Sequence, residues 1–352
     1  STFMNRIVTA LLKGKETALI LFMGALLALI IITTAVISAF SMRENSREEW
    51  TTQLDNLTLV LAEQVNQTLY SANILLDTLV EDIISSKIND ERQYIEHASR
   101  ETQFNFLVHK ISGNPLINVA AYVAKNGQIL NYTRSYPAPA INVADRDYFL
   151  ATQINAGDKT FYSAPIQNRT DKTWVFYISR KIYNRNGDYL GLIVIGISAE
   201  VFSNFYKNVA SNLGDGAVIT LYKKDMTVMS RWPFDENLIG QRQTTSATAK
   251  LILEDKLANG VIDTVDHGSQ SMVAARIVKR FPFIVSTEVN DDIFMKKWQK
   301  NERWVWSSAI ASLTILFISI YFLLKYNKSL NRELKERIVA QRDLFHAHAL
   351  LE

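Results

Sequence analysis

Residues 143–149 read Val-Ala-Asp-Arg-Asp-Tyr-Phe and place three charged side chains directly beside two aromatic rings. A guanidinium can form two parallel hydrogen bonds to a carboxylate, and a tyrosine adds a hydroxyl and a ring face. The stretch therefore predicts a carboxylate site formed by Arg146 and Tyr148, with Asp145 or Asp147 orienting the arginine. The alternative is a solvated surface turn in which Arg146 pairs with a neighbouring aspartate.

Further aromatic and polar side chains lie on the strands predicted around this stretch, and Phe149 is expected in the core. Their density suits a small, mostly apolar cage with a few polar groups, although ordinary sheet packing would also use them. Because side chains alternate along a strand, Trp174 and Tyr177 occupy opposite faces, and only one face can line a pocket. Asp171 could meet a cationic group. The candidate ligand-binding residues are Arg146, Tyr148, Asp147, Tyr132, Arg134, Tyr162, Trp174 and Tyr177.

Enzyme signatures are absent from the sequence: it contains no Gly-x-Ser-x-Gly, no phosphate-binding glycine loop and no His-Glu-x-x-His. Asp263, Asp266, His267 and Ser269 superficially suggest a triad, but they lie on one predicted turn, whereas catalytic partners usually converge from separate elements. No catalytic residue, cofactor or metal site is therefore predicted. A net charge of +3 with 21% charged residues gives no sign of nucleic-acid binding.

Two uncharged runs, residues 17–42 and 304–324, are long enough to cross a hydrocarbon core of about 30 Å as helices. The second begins with tryptophans and ends beside a tyrosine and a lysine, as expected at membrane interfaces. The first is too long for an ordinary signal peptide. Basic residues flank the outer ends of both runs, which predicts that both termini are cytoplasmic and residues 43–303 are outside: Arg6, Lys13, Lys15, Lys325, Lys328 and Arg332.

An apolar stripe at helical spacing follows the first run and predicts one long amphipathic stalk helix. Its members are Trp50, Leu54, Leu57, Leu61, Val65, Leu69, Leu76, Leu79 and Ile83. Asn89 and Asp90 indicate the start of one further helix running to the break at residues 112–115.

Beyond that break the period changes to two, and Asn126-Gly127 and Asn186-Gly187 suit tight hairpin turns. A strand pair, an excursion and further strands then recur after residue 217, with a helix expected at residues 247–257. This order predicts an α+β fold of two tandem PAS-like antiparallel-sheet modules. After residue 324, an apolar stripe in a charged segment predicts a dimerising signalling helix, which we expect to continue beyond Glu352.

This arrangement resembles the double Cache (dCache) family of bacterial extracytoplasmic sensors. The local similarity lies in residues 145–149, in Ile178-Ser179-Arg180, in residues 191–197 and in Ala275-Arg276. The resemblance implies that the first, membrane-distal module binds a small ligand and that the second, membrane-proximal module passes the change to the second transmembrane helix. The Asp-Arg-Asp-Tyr-Phe form particularly resembles members attached to GGDEF diguanylate cyclases; histidine kinases and chemoreceptors are the alternative outputs.

Amino-acid-binding members of this family carry an Arg-x-aromatic-aromatic pattern, which Arg146, Tyr148 and Phe149 match. In those members a carboxylate late in the first sheet holds the ligand ammonium, whereas residues 192–198 here contain Gly196 and no Asp or Glu. The resemblance thus implies a ligand with an arginine-held carboxylate, other than an ordinary α-amino acid.

The expected protein is a homodimeric, two-pass receptor of the bacterial inner membrane that binds a small polar, carboxylate-bearing metabolite. The alternatives are a periplasmic protein-docking module without a small ligand and an outer-face hydrolase. The expected segments are an N-terminal tail (residues 1–16), a membrane span (17–42), stalk helices (43–112), the first module (113–210), the second module (211–303), a second span (304–324) and a signalling helix (325–352).

Overall fold

The computed structural model describes residues 2–154, 160–169, 171–266 and 269–349. It divides into two compact units, one formed by Ser1–Glu48 with Met295–Glu352 and the other by Glu49–Phe294. His267, one member of the apparent triad, lies outside the described residues.

The first unit consists of the beginning of helix α1 (Thr2–Ser85) and most of helix α7 (Asp291–Ala349). Both helices are long and apolar enough to cross a membrane. They pack closely at Gly24, where an added Cβ would lie 2.4 Å from the Ile320 side chain. Trp298 Nε1 donates to the Ala39 carbonyl at 3.3 Å.

The second unit begins with the stalk segment of α1, residues 49–85. The predicted apolar stripe is buried against the sheets at seven of its positions, each at most 2% exposed: Leu54, Leu61, Val65, Leu69, Leu76, Leu79 and Ile83. Polar contacts accompany this packing, because Thr58 and Thr287 share a buried hydrogen bond of 2.7 Å and Arg276 pairs with Asp55 at 2.8 Å.

Two short helices follow, α2 (Glu91–Ala98) and α3 (Glu101–Ile111), where the sequence predicts one. Asp90 caps α2 by accepting from the Gln93 amide at 2.8 Å, as predicted. The single-helix prediction is wrong because Arg100 has extended backbone (φ −71°, ψ 150°). The carbonyls of Ala98 and Arg100 both accept from the buried Asn131 side chain, at 3.1 and 2.9 Å.

The first module is a six-stranded antiparallel sheet in the order β2-β1-β6-β5-β3, with β4 paired to β5. Gly127 and Gly187 adopt positive φ at the two predicted hairpin turns. The strands are β1 (Ile117–Ala124), β2 (Ile129–Tyr132), β3 (Phe161–Tyr162), β4 (Ile166–Gln167), β5 (Trp174–Tyr183) and β6 (Tyr189–Ser198), with helix α4 (Asp147–Ile154) in the excursion.

The second module is a five-stranded antiparallel sheet in the order β8-β7-β11-β10-β9. Helix α5 (Ala199–Leu213) leads into it. The helix expected at residues 247–257 is shorter, comprising α6 (Ala247–Ala249) and one π-helical turn (Lys250–Glu254). The strands are β7 (Val218–Lys223), β8 (Val228–Trp232), β9 (Asn259–Asp266), β10 (Ser269–Ile277) and β11 (Phe283–Asn290). The α+β class with two tandem antiparallel modules is confirmed.

Candidate functional site

A cavity of about 50 Å³ lies between one face of the first sheet and the loop that precedes α4. One water molecule needs roughly 10–15 Å³ of such space, so the cavity suits a small molecule. It is lined by Val119, Ala121, Val123, Ile129, Tyr132, Ile141, Val143, Arg146, Tyr148, Asn168, Arg169, Tyr177 and Val194. Four of the eight predicted site residues are therefore brought together: Tyr132, Arg146, Tyr148 and Tyr177.

The structure decides which face of β5 lines the cavity. Tyr177 faces it, together with the apolar cluster that contains Val175. Phe176 faces the other way and packs on Phe202 and Phe283, with ring centroids 6.2 and 6.0 Å apart. Trp174 shares that opposite face and packs on the core of the second module, so the structure places it outside the cavity.

Arg146 lies immediately before α4, and its carbonyl accepts the amides of Phe149 and Leu150 at 3.0 and 2.9 Å. These bonds fix the backbone at the helix start, while Phe149 is anchored in the core as predicted. The half-buried Arg146 guanidinium lines the cavity and forms no hydrogen bond or ion pair with any of the described residues. It is thus available to an anionic group inside the cavity.

The neighbouring aspartates have other partners, contrary to the expectation that one of them orients Arg146. Asp145 forms an ion pair with Arg169. Asp147 accepts the Tyr148 amide at 2.7 Å and the Ala164 amide at 3.1 Å, which ties the start of α4 to the loop after β3. A carboxylate that accepts amide hydrogens at a helix start is stabilised there, so Asp147 holds the backbone rather than the arginine.

The tyrosines give the cavity a wall of neutral hydroxyl groups. The rings of Tyr148 and Tyr177 lie 4.8 Å apart. Burial raises the pKa of Tyr148 well above its usual value, and repulsion from Tyr177 adds to this, whereas Arg146 opposes it. Burial likewise raises the pKa of Tyr177 against the opposing influence of Arg146. Both hydroxyls therefore stay protonated at neutral pH and can donate to a ligand.

Two further candidates lie outside the cavity lining. The Arg134 side chain bonds to Asp171 and to the Asn118 amide oxygen. Burial favours protonation of Asp171, but bonds from Thr173 and then from Arg134 lower its pKa overall. Tyr162 packs edge-on against Phe283 at 5.5 Å, and its hydroxyl accepts from Asn73 of the stalk segment at 3.0 Å.

The sequence interpretation missed two polar residues of the lining, Asn168 and Arg169. Asn168 donates to the Tyr177 hydroxyl at 3.4 Å, and Arg169 donates to the Asn142 carbonyl at 2.7 Å. Both lie just before β5, in the same turn as Asp171. The basic residue Arg169 was the one feature of the sequence that could have identified this turn as part of an anion site.

The charged side chains that line the cavity are all positive. The lining contains two guanidiniums, three tyrosines and one amide, but no carboxylate. Gly196 forms part of the sheet beside it, where an added Cβ would lie 2.7 Å from Val119, 2.8 Å from Val175 and 3.1 Å from Tyr177. The space beside Gly196 is thus filled by neighbouring side chains, and residues 192–198 contain no Asp or Glu. Such a cavity suits an anion with an apolar body.

The described residues contain no group of three His, Cys, Asp or Glu side chains that could hold a metal ion. Of the apparent triad, Asp263 and Asp266 lie in β9 and Ser269 lies in β10, where Asp266 pairs with Ser269 in the strand register.

Comparison with known proteins places these features in context. The Cache domain profile dCache_1 matches residues 41–298, more than half of the chain. No curated protein sequence matches.

Several solved structures are similar to the chain. The extracellular domain of rpHK1S-Z16, described as a histidine kinase, is 26% identical with a TM-score of 0.59, over 68% of this chain and 94% of that one. The periplasmic sensory domain of the Campylobacter jejuni chemoreceptor Tlp1 is 12% identical (TM-score 0.57; 71% and 98% covered). The ligand-binding domain of the Pseudomonas fluorescens chemoreceptor CtaA, solved with L-isoleucine, is 12% identical (TM-score 0.54; 73% and 99% covered).

Proposed function

The chain belongs to the Cache domain family, and from this premise we propose that it is a transmembrane receptor whose first module binds a small carboxylate-bearing metabolite. The observation that carries the proposal is the Arg146 guanidinium, which lines a small cavity without an ion pair to any of the described residues. In an enclosed site, a guanidinium and neutral tyrosine hydroxyls favour a carboxylate strongly, because charge-assisted hydrogen bonds are about twice as strong as neutral ones.

The ligand class differs from that of the CtaA and Tlp3 domains, which were solved with isoleucine or serine and with isoleucine, respectively. An α-amino acid would bring an ammonium group into a cavity whose lining has two guanidiniums and no carboxylate. Leaving that charge unpaired in a buried site would cost several kcal/mol, roughly the penalty for an uncompensated ion. The ligand of the first module is therefore a carboxylate with an aliphatic body and no amino group.

The two long apolar helices support a two-pass membrane arrangement for the proposed receptor. We place residues 17–42 and 304–324 in the bacterial inner membrane and residues 43–303 in the periplasm, with basic residues keeping both termini cytoplasmic. The receptor works as a homodimer, in keeping with the apolar stripe of its signalling helix.

Strand β5 supplies a route from the cavity to the stalk segment. Tyr177 lines the cavity, and three residues later Arg180 bonds to Asp77 and, at 3.1 Å, to Asn73 of the stalk segment. A ligand that moves β5 thus moves the contacts of Arg180. It shifts the equilibrium of the receptor only by its difference in affinity for the two states.

The output domain of the proposed receptor is a diguanylate cyclase or a histidine kinase. The Asp-Arg-Asp-Tyr-Phe stretch supports the cyclase, and the 26% identity with the rpHK1S-Z16 domain supports the kinase.

The test is a ligand screen on the whole chain in lipid nanodiscs, followed by thermal unfolding. We expect one or more aliphatic monocarboxylates to raise Tm, because a ligand that binds only the native state stabilises it. Arg146→Gln should weaken that ligand by about 10- to 100-fold, the equivalent of roughly 1.5–3 kcal/mol for a hydrogen bond to a charged group. Arg185→Gln, on the exposed turn of the same module, is the matched control and should change nothing.

Three results would contradict the proposal. If no carboxylate shifts Tm but a protein partner binds tightly, the module is a docking domain. Turnover of a compound by the chain would indicate an outer-face hydrolase. If a carboxylate binds equally well to the Arg146→Gln variant, the ligand lies elsewhere.

A further inference from the structure

The second module repeats the local architecture that forms the cavity of the first. In both, a loop returns across the sheet face through an isolated bridge, Gln128 with Asn142 in the first module and Thr227 with Arg242 in the second. A turn and then a helix start follow each bridge, at Asp147 in one and Ala247 in the other. The second sheet therefore has a covered face in the equivalent place.

A larger cavity of about 530 Å³ lies on that face. Its lining is richer in polar groups than that of the first and contains acids as well as a base. The lining residues that could contact a polar ligand include Thr220, Tyr222, Arg231, Asp235, Thr264 and Glu288. With one guanidinium and two carboxylates, this cavity carries a net negative charge, so a simple carboxylate is repelled from it.

The sheet register separates the positive charge of Arg231 from the negative charge of Glu288 within this cavity. Arg231 stands opposite Thr220 across β8 and β7, and Glu288 stands opposite Val218 across β11 and β7. Their Cα atoms are thus two strands apart, roughly 10 Å, and offset by two residues, roughly 7 Å. Both side chains are long enough to shorten that gap to the length of a small bifunctional molecule.

The Tyr222 hydroxyl group belongs to the lining of the same cavity. Burial raises its pKa, hydrogen bonding with Thr220 and the charge of Arg231 lower it, and the charge of Glu288 raises it. Both charges therefore act on the same buried hydroxyl. The Arg231 guanidinium has no hydrogen bond or ion pair among the residues that the structure describes, and so it can bind a ligand carboxylate.

We infer that the second module is a second ligand site, one that binds a zwitterionic α-amino acid. Arg231 holds the carboxylate of the amino acid, and Glu288, with Asp235 at the rim, holds its ammonium group. The hydroxyls of Thr220, Tyr222 and Thr264 supply the remaining hydrogen bonds. The two modules then bind different classes of ligand: the first binds a simple carboxylic acid, and the second binds an amino acid. This inference is independent of the ligand proposed for the first module.

The experiment screens the twenty standard L-amino acids against the whole chain in nanodiscs by thermal unfolding and then measures the affinity of each hit by calorimetry. For every hit, the analogue without the amino group and the analogue without the carboxylate are measured as well. We expect at least one amino acid to raise Tm and both analogues to bind at least about tenfold more weakly, since each loses one charged contact.

Variants locate the site. Arg231→Gln and Glu288→Gln should each weaken the amino acid by at least about tenfold, whereas Arg146→Gln in the first module should leave its affinity unchanged. The inference fails if none of the twenty amino acids binds, if an amino acid binds as well without its ammonium group, or if Arg146→Gln abolishes binding. Because the analogues are measured on the unaltered chain, a variant that fails to fold leaves the test intact. Carboxylate binding by the first module is scored separately, so either site can fail alone.

Discussion

Gly196 is the position at which a single added methyl group tests the packing of the first module. An added Cβ would lie 2.7 Å from the Val119 side chain, 2.8 Å from Val175 and 3.1 Å from the Tyr177 ring. All three neighbours are buried and belong to the cluster that surrounds the cavity. The backbone at Gly196 is ordinary for a strand, so the effect of Gly196→Ala arises from crowding and not from a forbidden φ.

Crowding of this kind costs about 1–3 kcal/mol, and the lower chain entropy of alanine in the unfolded state returns ~0.4–1 kcal/mol. The net cost is therefore about 0–2.6 kcal/mol, and since 1 kcal/mol corresponds to roughly 2–4 °C in Tm for a unit of this size, Gly196→Ala should lower Tm by up to about 10 °C. Relative to a glycine-to-alanine change without crowding, which has the same entropy gain, its Tm should be lower by roughly 2–12 °C. Because one of the displaced groups is the Tyr177 ring, the variant should also bind the carboxylate ligand more weakly.

Thermal unfolding of three variants provides the assay. Gly113 has no atom within 4 Å of an added Cβ, so Gly113→Ala is the matched control and should be neutral or slightly stabilising. Gly191→Ala should be worse than Gly196→Ala, because its Cβ would lie 2.3 Å from a backbone oxygen, that of Val123, which cannot move aside as a side chain can. If Gly196→Ala were as stable as Gly113→Ala, the packing described around the cavity would be wrong.

Three further predictions concern single contacts. Thr58→Val should cost about 1–3 kcal/mol by leaving the buried Thr287 hydroxyl unpaired; in denaturant unfolding, adding Thr287→Val should cost less than the sum of the two single changes. Arg180→Met should abolish the ligand-induced change in hydrogen exchange of the stalk segment around Asp77 while leaving ligand affinity intact; unchanged exchange behaviour would exclude the β5 route. Burial raises the pKa of Tyr148 above its value in the unfolded chain, so the folded state loses stability relative to the unfolded state as the pH rises above about 10, by up to ~1.4 kcal/mol per pH unit. Tyr148→Phe lacks this titration and should show a smaller fall in Tm between pH 9 and 11 than the unaltered chain. An equal fall in Tm would assign the titration to other groups.

Much of the fold could be predicted from local patterns. The stalk stripe from Leu54 to Ile83 follows from helical spacing, and the hairpin turns at Gly127 and Gly187 follow from Asn-Gly pairs that need positive φ. The break at Arg100 could not be predicted, because it is accompanied by hydrogen bonds from Asn131, a residue about thirty positions away, to the carbonyls of Ala98 and Arg100. The π-helical turn at Lys250–Glu254 likewise has no local signal.

The candidate site could be predicted only in part, for a similar reason. Alternation along β5 established that Trp174 and Tyr177 face opposite ways, but which face meets the cavity depends on the packing of Phe176 against Phe202 and Phe283. Asn168 and Arg169 reach the cavity from a turn, and turns carry no periodic pattern. The partner of Asp145 was predicted wrongly because Arg169 approaches it from that same turn.

The central claim is that Arg146 binds a ligand carboxylate through its negative charge. The most direct measurement compares the affinity of each bound carboxylate with that of its uncharged amide, on the unaltered chain and on the Arg146→Gln variant. Calorimetry on the unaltered chain should show a preference for the carboxylate of at least about tenfold, because one charge-assisted contact is worth roughly 1.5–3 kcal/mol. On the Arg146→Gln variant this preference should disappear, while the affinity for the amide stays the same. A preference for the carboxylate that survives in the variant would contradict the claim.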